Sequence, residues 1–236
     1  MSTWFWNLYG VVYDALPRHF RPYSLHVDQI AGLVSAHLGR ANARILDAGC
    51  GTGNYLRRLA SCGYQVVGLD TSPWMLARAR GKAPTAELCQ SNLEERLPFA
   101  DEVFDCVMSI NALYMLRAPE RALVEFWRVL RPGGILVLSH PHRIPSLWSS
   151  WIENVRESGA VAALRSAGPV AALAVFNLAI SRRCAQDRYQ CWSYRQVKAA
   201  LGAAGFRVQS IEPAYACRSN WLVSAVKTGE LLTGID

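Results

Sequence analysis

What this chain lacks narrows its function before any motif is read. No two of its seven cysteines form a CxxC pair, and an odd count without framework spacing argues against a disulfide scaffold and a structural zinc. No metal is expected, and Cys50, Cys62, Cys89 and Cys106 read as small buried hydrophobes of a reduced interior. No apolar run is long enough to cross a membrane. The longest, Pro169 to Ile180, is broken by Asn177 and falls short of the about 20 residues a spanning helix needs. The opening "MSTWFWNLYGVVYDAL" is apolar and aromatic, yet it has no basic n-region and contains Asp14, so it does not read as a secretory leader. A cytoplasmic protein is expected, resting at most on a membrane surface. Acidic residues are outnumbered, 18 against 25 basic, but the basic residues are scattered arginines without interleaved aromatics. The net charge of +7 therefore reads as solvated faces rather than a nucleic-acid tract, and no nucleic-acid partner is expected. Mildly basic faces also suit anionic lipid or an acidic partner.

What is present is an alternation of buried strands and helices. "ILDAGCGTG" (Ile45 to Gly53) ends an apolar run in an acid and follows it with glycines at every second position. A helix is expected from Asn54 to Ser61, then the strand "YQVVGLD" ending at Asp70. "TSPWMLARARG" starts a helix with Ser72 as N-cap and Pro73 at the first helical position, and Gly81 is the expected stop. "AELCQSN" and "VFDCVMSI" read as the third and fourth strands. "APERALVEFWRVLRPGG" reads as an amphipathic helix closed by a Pro-Gly-Gly turn, and "ILVLS" as the fifth strand. Near the end come a helix in "SYRQVKAALGAAGF" and strands in "FRVQSIEP" and "WLVSAVK". Strands that are apolar throughout and alternate with helices predict a doubly wound, Rossmann-like α/β fold, a mostly parallel seven-stranded sheet covered on both faces. One domain is expected: a helical lid over 1–44, a core over 45–139, an insert with two helices over 140–190, and a closing helix and two strands over 191–236. Both additions would lie over the carboxyl ends of the strands, where open α/β sheets bind ligands.

The glycine loop lets backbone turn tightly and approach a ligand, with the next helix supplying free N–H groups. The dinucleotide fingerprint is G-x-G-x-x-G, whereas here the spacing is Gly49, Gly51, Gly53. Asp47, just ahead of the first glycine, decides the ligand. A carboxylate there would repel a pyrophosphate and would suit a ligand without phosphate that carries an amine and a sulfonium, which is S-adenosylmethionine. Asp70 ends the second strand, where a carboxylate can accept from both ribose hydroxyls; the bland alternative is a strand-end cap.

With these residues in order, "ILDAGCGTG", "VVGLDTSPWML", "NLEERLPFADEVFD" and "EFWRVLRPGG" leading into "ILVLS", the chain resembles the class I S-adenosylmethionine-dependent methyltransferases. Within them it is similar to the ubiquinone/menaquinone-biosynthesis-like small-molecule group. The resemblance covers Ile45 to Ser139, with "LGAAGF" also fitting. It implies that Asp47 positions the methionine amino group and that Gly49, Cys50 and Gly51 line that portion through backbone. It implies Asp70 on the ribose, Thr71 and Met75 flanking ribose and adenine, Asn92 and Leu93 at the adenine edge, and Ser109 and Ile110 against the methionine moiety. Two positions depart from the group: Asn92 stands where Asp is usual, and Tyr114-Met115 where histidine is common.

Methyl transfer is an in-line displacement that chiefly needs alignment and exclusion of water. A base is required only where the acceptor loses a proton on attack. Candidates are His140 and His142 in "SHPHRIP", with a solvent-facing loop histidine as the plain alternative, then Tyr13 in the lid, and more weakly His26. Aromatics gather in the additions, Trp4, Phe5, Trp6 and Tyr9 at the start and Trp148, Trp151, Tyr189, Trp192 and Tyr194 later. Core packing accounts for most of them. Together they also suit an apolar or aromatic small-molecule acceptor, a natural-product or quinone-type ring, or a cationic amine over a ring face. A phospholipid amine met at the membrane surface through the N-terminal segment or the insert ranks second. Against a nucleic-acid methyltransferase, "SINALY" lacks the Asn/Asp-Pro-Pro-aromatic signature and no Pro-Cys nucleophile is present. A protein that binds the cofactor without transferring methyl would carry the same motifs.

Overall fold

The computed structural model describes residues 3–15, 17, 20–143, 147–161, 163, 164, 167, 168, 171, 172, 175, 176, 178, 182 and 190–228. Seven strands form one sheet: β1 Arg44–Ala48, β2 Gln65–Asp70, β3 Glu87–Gln90, β4 Phe104–Ile110, β5 Leu130–Pro141, β6 Phe206–Ala214 and β7 Asn220–Lys227. Their order across the sheet is β3-β2-β1-β4-β5-β7-β6. The first five run parallel, and β7 lies antiparallel to both β5 and β6. Strand order reverses between β1 and β4, so a crevice opens at their carboxyl ends.

Period-2 alternation explains the two cores. Ile45, Val66, Met108 and Val137 face one side, where Tyr23, Ile30, Leu56 and Leu76 cover them. These come from α2 (Arg21–Leu38), α3 (Asn54–Ala60) and α4 (Pro73–Lys82). Leu46, Val67, Val107 and Leu136 face the other, beneath Leu123 and Phe126 of α5 (Pro119–Val129) and Val197 and Leu201 of α7 (Tyr194–Ala203). With one residue in each pair buried on each face, the strands must be apolar along their whole length, as read from the sequence.

The remaining helices flank this core. α1 (Thr3–Tyr13) precedes α2, and α6 (Leu147–Ser158) follows β5. The Asn154 side chain is buried and accepts the Arg21 backbone N–H at 2.9 Å, which seats α6 on the start of α2. Much of the expected second insert helix, and Tyr189, lie outside the described residues.

Two boundaries differ from expectation for tertiary reasons. Ser72 caps α4 by accepting from the Met75 N–H, but the helix passes Gly81 and ends at Lys82. There the Lys82 ammonium donates to Asp14, to Thr52 Oγ1 at 2.9 Å and to Asn54 Oδ1 at 2.6 Å. Three oxygens outweigh the glycine's preference for stopping. Strand β5 begins at Leu130 rather than Ile135: Phe104 pairs with Leu130 and Cys106 with Ile135, so Arg131–Gly134 forms a bulge within the strand. α7 forms within the stretch expected to be a helix. Ser193 accepts the Gln196 N–H and Gln196 Oε1 accepts the Ser193 N–H at 2.9 Å, a reciprocal capping box.

Candidate functional site

A cavity of about 890 Å³ opens over the carboxyl ends of β1, β2 and β4. That volume lies toward the upper end of the range for small-molecule sites, ~300–1,000 Å³, with room for more than one modest ligand. Its floor is the glycine loop. The Gly49 and Cys50 N–H groups donate to Leu69 O at 2.8 and 2.9 Å, fastening the loop to β2. Gly49 has φ +88°, and a Cβ there would lie 2.5 Å from the Ala112 Cβ, so neither the conformation nor the space admits a side chain. Gly51, at φ +53°, has nothing within 4 Å of that position, so the space beside its Cα is open.

Asp47 is the most unusual group in the cavity. Its side chain is 1% exposed, and Oδ2 has no hydrogen-bond partner. Burial, reinforced by the nearby Asp70 carboxylate, pushes its pKa up to about 8. A buried carboxyl oxygen left unpaired is costly unless something completes it. A ligand ammonium group is the natural complement, because it restores ionisation and supplies donors at once.

Asp70 is already partly engaged. Oδ2 accepts from the Gly51 N–H and Oδ1 from the Ser72 N–H, both at 2.9 Å. Burial raises its pKa and these bonds oppose the rise. Each carboxylate oxygen has a second lone pair, so the residue can clamp the loop and still accept from two vicinal hydroxyls. At the far end of the crevice Asn92 Oδ1 accepts the Glu94 N–H at 3.0 Å and Nδ2 donates to Glu95 at 3.3 Å. This local turn presents Ser91, Asn92, Leu93 and Glu94 to the cavity. It also explains how Asn replaces Asp here, since an amide oxygen closes the same turn.

The structure brings together Asp47, Gly49, Cys50, Gly51, Asp70, Thr71, Met75, Asn92, Leu93, Ile110 and Tyr13 around one cavity. Ser109 is not among the lining residues: it is buried, and its hydroxyl donates to Ala48 O at 2.9 Å, bracing β4 on β1. The two histidines also lie elsewhere. His140 is 2% exposed, stacked on Trp192 at 4.6 Å and hydrogen-bonded through Nε2 to Gln190 O; burial depresses its pKa to about 4. It shares the parity of Leu136 and Leu138, which direct it to the α5–α7 face. His142 stacks on Trp221 at 4.4 Å, with Nε2 2.9 Å from Arg218 O. His26 pairs with Ser139 Oγ at 2.9 Å and is likewise absent from the cavity wall.

Sequence reading missed Asn111 and Tyr55. Asn111 follows β4 in the left-handed region (φ 55°) and accepts from Asn220 Nδ2 at 2.5 Å; Asn220 in turn meets Ser139 Oγ at 2.9 Å. The amide on the wall is thus positioned by a residue 109 places away in sequence. Tyr55, from the first turn of α3, lines the cavity beside Tyr9 and Tyr13. Behind them Tyr23 meets Tyr13, Tyr55 and Tyr215 edge-on at 5.2 to 6.4 Å. Burial raises all five phenols above their ordinary range, Tyr9 to about 12. They are neutral rings with hydroxyl donors, not bases. Asp14 ties this aromatic wall to the loop. It accepts from Lys82 and, at 2.7 Å, from Arg78, and these bonds outweigh burial to hold its carboxyl below the usual range.

Comparison with known proteins agrees with the geometry. A family model described as a methyltransferase domain matches residues 46–138. Over 142 residues the chain is 36% identical to a phosphatidylethanolamine N-methyltransferase from Cereibacter sphaeroides, 54% of this chain and 68% of that protein. It is 34% identical over 136 residues to a malonyl-[acyl-carrier protein] O-methyltransferase from Enterobacter lignolyticus, 56% of this chain and 54% of that one. The chain spans about half the length of the curated relatives it matches first. Among solved structures, magnesium protoporphyrin IX methyltransferase from Synechocystis PCC 6803 with bound S-adenosylhomocysteine superposes with a TM-score of 0.61. That match has 16% identity and covers 88% of this chain and 84% of that one, a likeness of fold.

Proposed function

The chain belongs to the class I S-adenosylmethionine-dependent methyltransferases, and from that premise we propose that it methylates an O, N or C atom of a small, hydrophobic or aromatic acceptor. The observation that carries this reading is the unpaired, buried Asp47 carboxyl at one end of a cavity whose other walls include Tyr9, Tyr13, Tyr55 and Tyr114. One end is built for a cation and the other for a ring or an acyl chain. The cofactor, when bound, supplies an electrophilic methyl group on a sulfonium.

Each residue then has a role. Asp47 receives the cofactor's amino group while the backbone of Gly49, Cys50 and Gly51 closes around the same portion. Asp70 accepts from the ribose hydroxyls and keeps the loop in place. Thr71 and Met75 flank the ribose and adenine, and the Asn92–Leu93 turn takes the adenine edge. Ile110 borders the methionine portion. On the acceptor side Tyr9, Tyr13 and Tyr55 exclude water, and Asn111 offers a fixed amide for orientation. Without a histidine among the described cavity residues, we assign no general base to His140 or His142. Alignment and desolvation are what this wall contributes. Tyr13, with its pKa raised, acts as a packing and hydrogen-bonding group.

Calorimetry tests the cofactor half: S-adenosylmethionine and S-adenosylhomocysteine should bind with a micromolar Kd, order of magnitude, and NAD should not. An acceptor screen by mass gain of one methyl tests the rest, and cofactor binding without turnover on any acceptor would favour a regulatory module. A lipid amine is the second reading. It is favoured by the phosphatidylethanolamine N-methyltransferase relative and by tyrosine faces that suit a cationic headgroup.

A further inference from the structure

The large apolar side chains this protein leaves in solvent are not scattered. Among the described residues, those on the central elements occur singly: Leu25 on α2, Val124 on α5 and Tyr194 on α7. The rest belong to α1 and to the stretch after β5, and there they come in pairs three residues apart. Leu8 and Val11 lie one turn apart on α1, and Val161 with Leu164 and Val175 with Leu178 repeat the spacing at helical positions. A spacing of three puts both members on one face of a helix, and here that face looks outward. Trp148 on α6, 72% exposed, joins them.

Two of these pairs adjoin beside the cavity. Tyr9 lines the cavity, and its ring packs edge-on against Phe176 at 5.8 Å. Leu8 and Val11 flank Tyr9, while Val175 and Leu178 flank Phe176, so two outward apolar pairs adjoin where the inward rings touch. The stretch after β5 is also basic in sequence. Between residues 140 and 190 the sequence carries six arginines and no lysine against Glu153, Glu157 and Asp187, and Arg143, Arg156 and Arg182 are exposed.

We propose that α1 and the segment after β5 form a membrane-docking face for an anionic lipid bilayer, set at the mouth of the acceptor cavity. Apolar pairs and a tryptophan enter the headgroup boundary, and guanidinium groups hold lipid phosphates. A second copy fits less well, because two copies of a stretch with six arginines against three acidic residues carry the same sign of charge. The proposal extends the acceptor reading above by giving a lipophilic acceptor a lateral route from the bilayer, and for that consequence it rests on that reading.

The test uses the full chain with vesicles of phosphatidylcholine alone and of phosphatidylcholine mixed with phosphatidylglycerol, by sedimentation at low and high salt. Binding should favour the anionic vesicles and weaken with salt. The double substitution Val175→Asp with Leu178→Asp should lower partitioning about tenfold or more, while circular dichroism and calorimetric binding of S-adenosylhomocysteine stay as in the parent. Should that variant misfold, brominated lipid decides: it should quench the parent's tryptophan fluorescence, and Trp148→Phe should remove much of the quenching. Failure to bind anionic vesicles at low salt, unchanged partitioning of the double variant, or quenching unaffected by Trp148→Phe would each overturn the proposal. A dimer that the double substitution dissociates, without vesicle binding, would assign the face to a second copy instead. Failure of the methyltransferase reading would show separately, as absent cofactor binding with vesicle binding intact.

Discussion

If Asp47 receives the cofactor's amino group, binding must ionise a carboxyl that the free protein keeps protonated up to about pH 8. Below that value the ammonium displaces a proton. The cost is about 1.4 kcal/mol for each pH unit between the solution and the pKa, so affinity should fall about a hundredfold from about pH 8 to about pH 6. Above about pH 8 the trend should flatten and then reverse, because the ligand's own amine starts to lose its proton there. Titration calorimetry of S-adenosylhomocysteine in two buffers of different ionisation enthalpy reads the effect directly: close to one proton should be released at about pH 7. 5′-Methylthioadenosine has no amino-acid portion and should show no such slope, and Asp47→Asn should abolish it for S-adenosylhomocysteine. The same shift has a consequence for the ligand-free fold. Folded Asp47 holds its proton from the unfolded carboxyl range near about 4 up to about 8, so its contribution to stability is present below that window and is lost as pH rises through it. Asp47→Asn should therefore gain stability relative to the parent as pH rises through this window. Affinity that stays level between about pH 6 and 8, or binding without proton release, would refute the placement of the amine on Asp47.

Asp70→Ala removes the acceptors of the Gly51 and Ser72 N–H groups as well as the proposed ribose contact. It should cost about 2–4 kcal/mol of cofactor affinity by calorimetry, and normal binding by a folded variant would free Asp70 from the ribose. Gly49→Ala drives a Cβ to 2.5 Å from Ala112 at φ +88°, whereas Gly51→Ala meets open space at φ +53°. In denaturant titrations the first should lose about 2–4 kcal/mol and the second about 1–2; equal losses would mean that the Ala112 contact does not limit position 49. Asp14→Ala takes the carboxylate from Lys82 and Arg78. Hydrogen exchange of α1 should accelerate about tenfold or more while the sheet amides keep their protection, and an unchanged α1 would show that aromatic packing alone seats it.

Local signals were readable and distant ones were not. The glycine loop, Asp47 and Asp70 could be placed from sequence because an apolar run, an acid and a turn follow one another within a few residues, and the helix starts at Ser72 and Ser193 are equally local. Asn111 depends on Asn220, which starts β7 one strand beyond β5 and 109 residues on in sequence, so nothing near it in sequence announces its role. His140 misled because following a strand does not say which way a side chain points; counting alternation from Leu136 and Leu138 would have turned it away from the cavity. Lys82, one residue past Gly81, is held by Asp14 from one distant segment and by Thr52 and Asn54 from another. The bulge in β5 needs the partner strand to be seen at all.

The cavity draws its walls from two sources. Most residues proposed for the cofactor lie between Asp47 and Leu93, with Ile110 beyond them, whereas the proposed acceptor wall mixes Tyr55 and Asn111 of the matched domain with Tyr9, Tyr13 and Gln190 from outside it. On the proposed reading, substitution of Tyr9 or Tyr13 should alter acceptor choice while leaving Asp47 and Asp70, the residues assigned to the methyl donor, in place. α1 can vary with little penalty for the fold, because the sheet is completed elsewhere, by β6 and β7. Such a scaffold can acquire new substrates by replacing its flanks, and relatives named for an acyl carrier and for a lipid each match this chain over only part of their length, 54% and 68%.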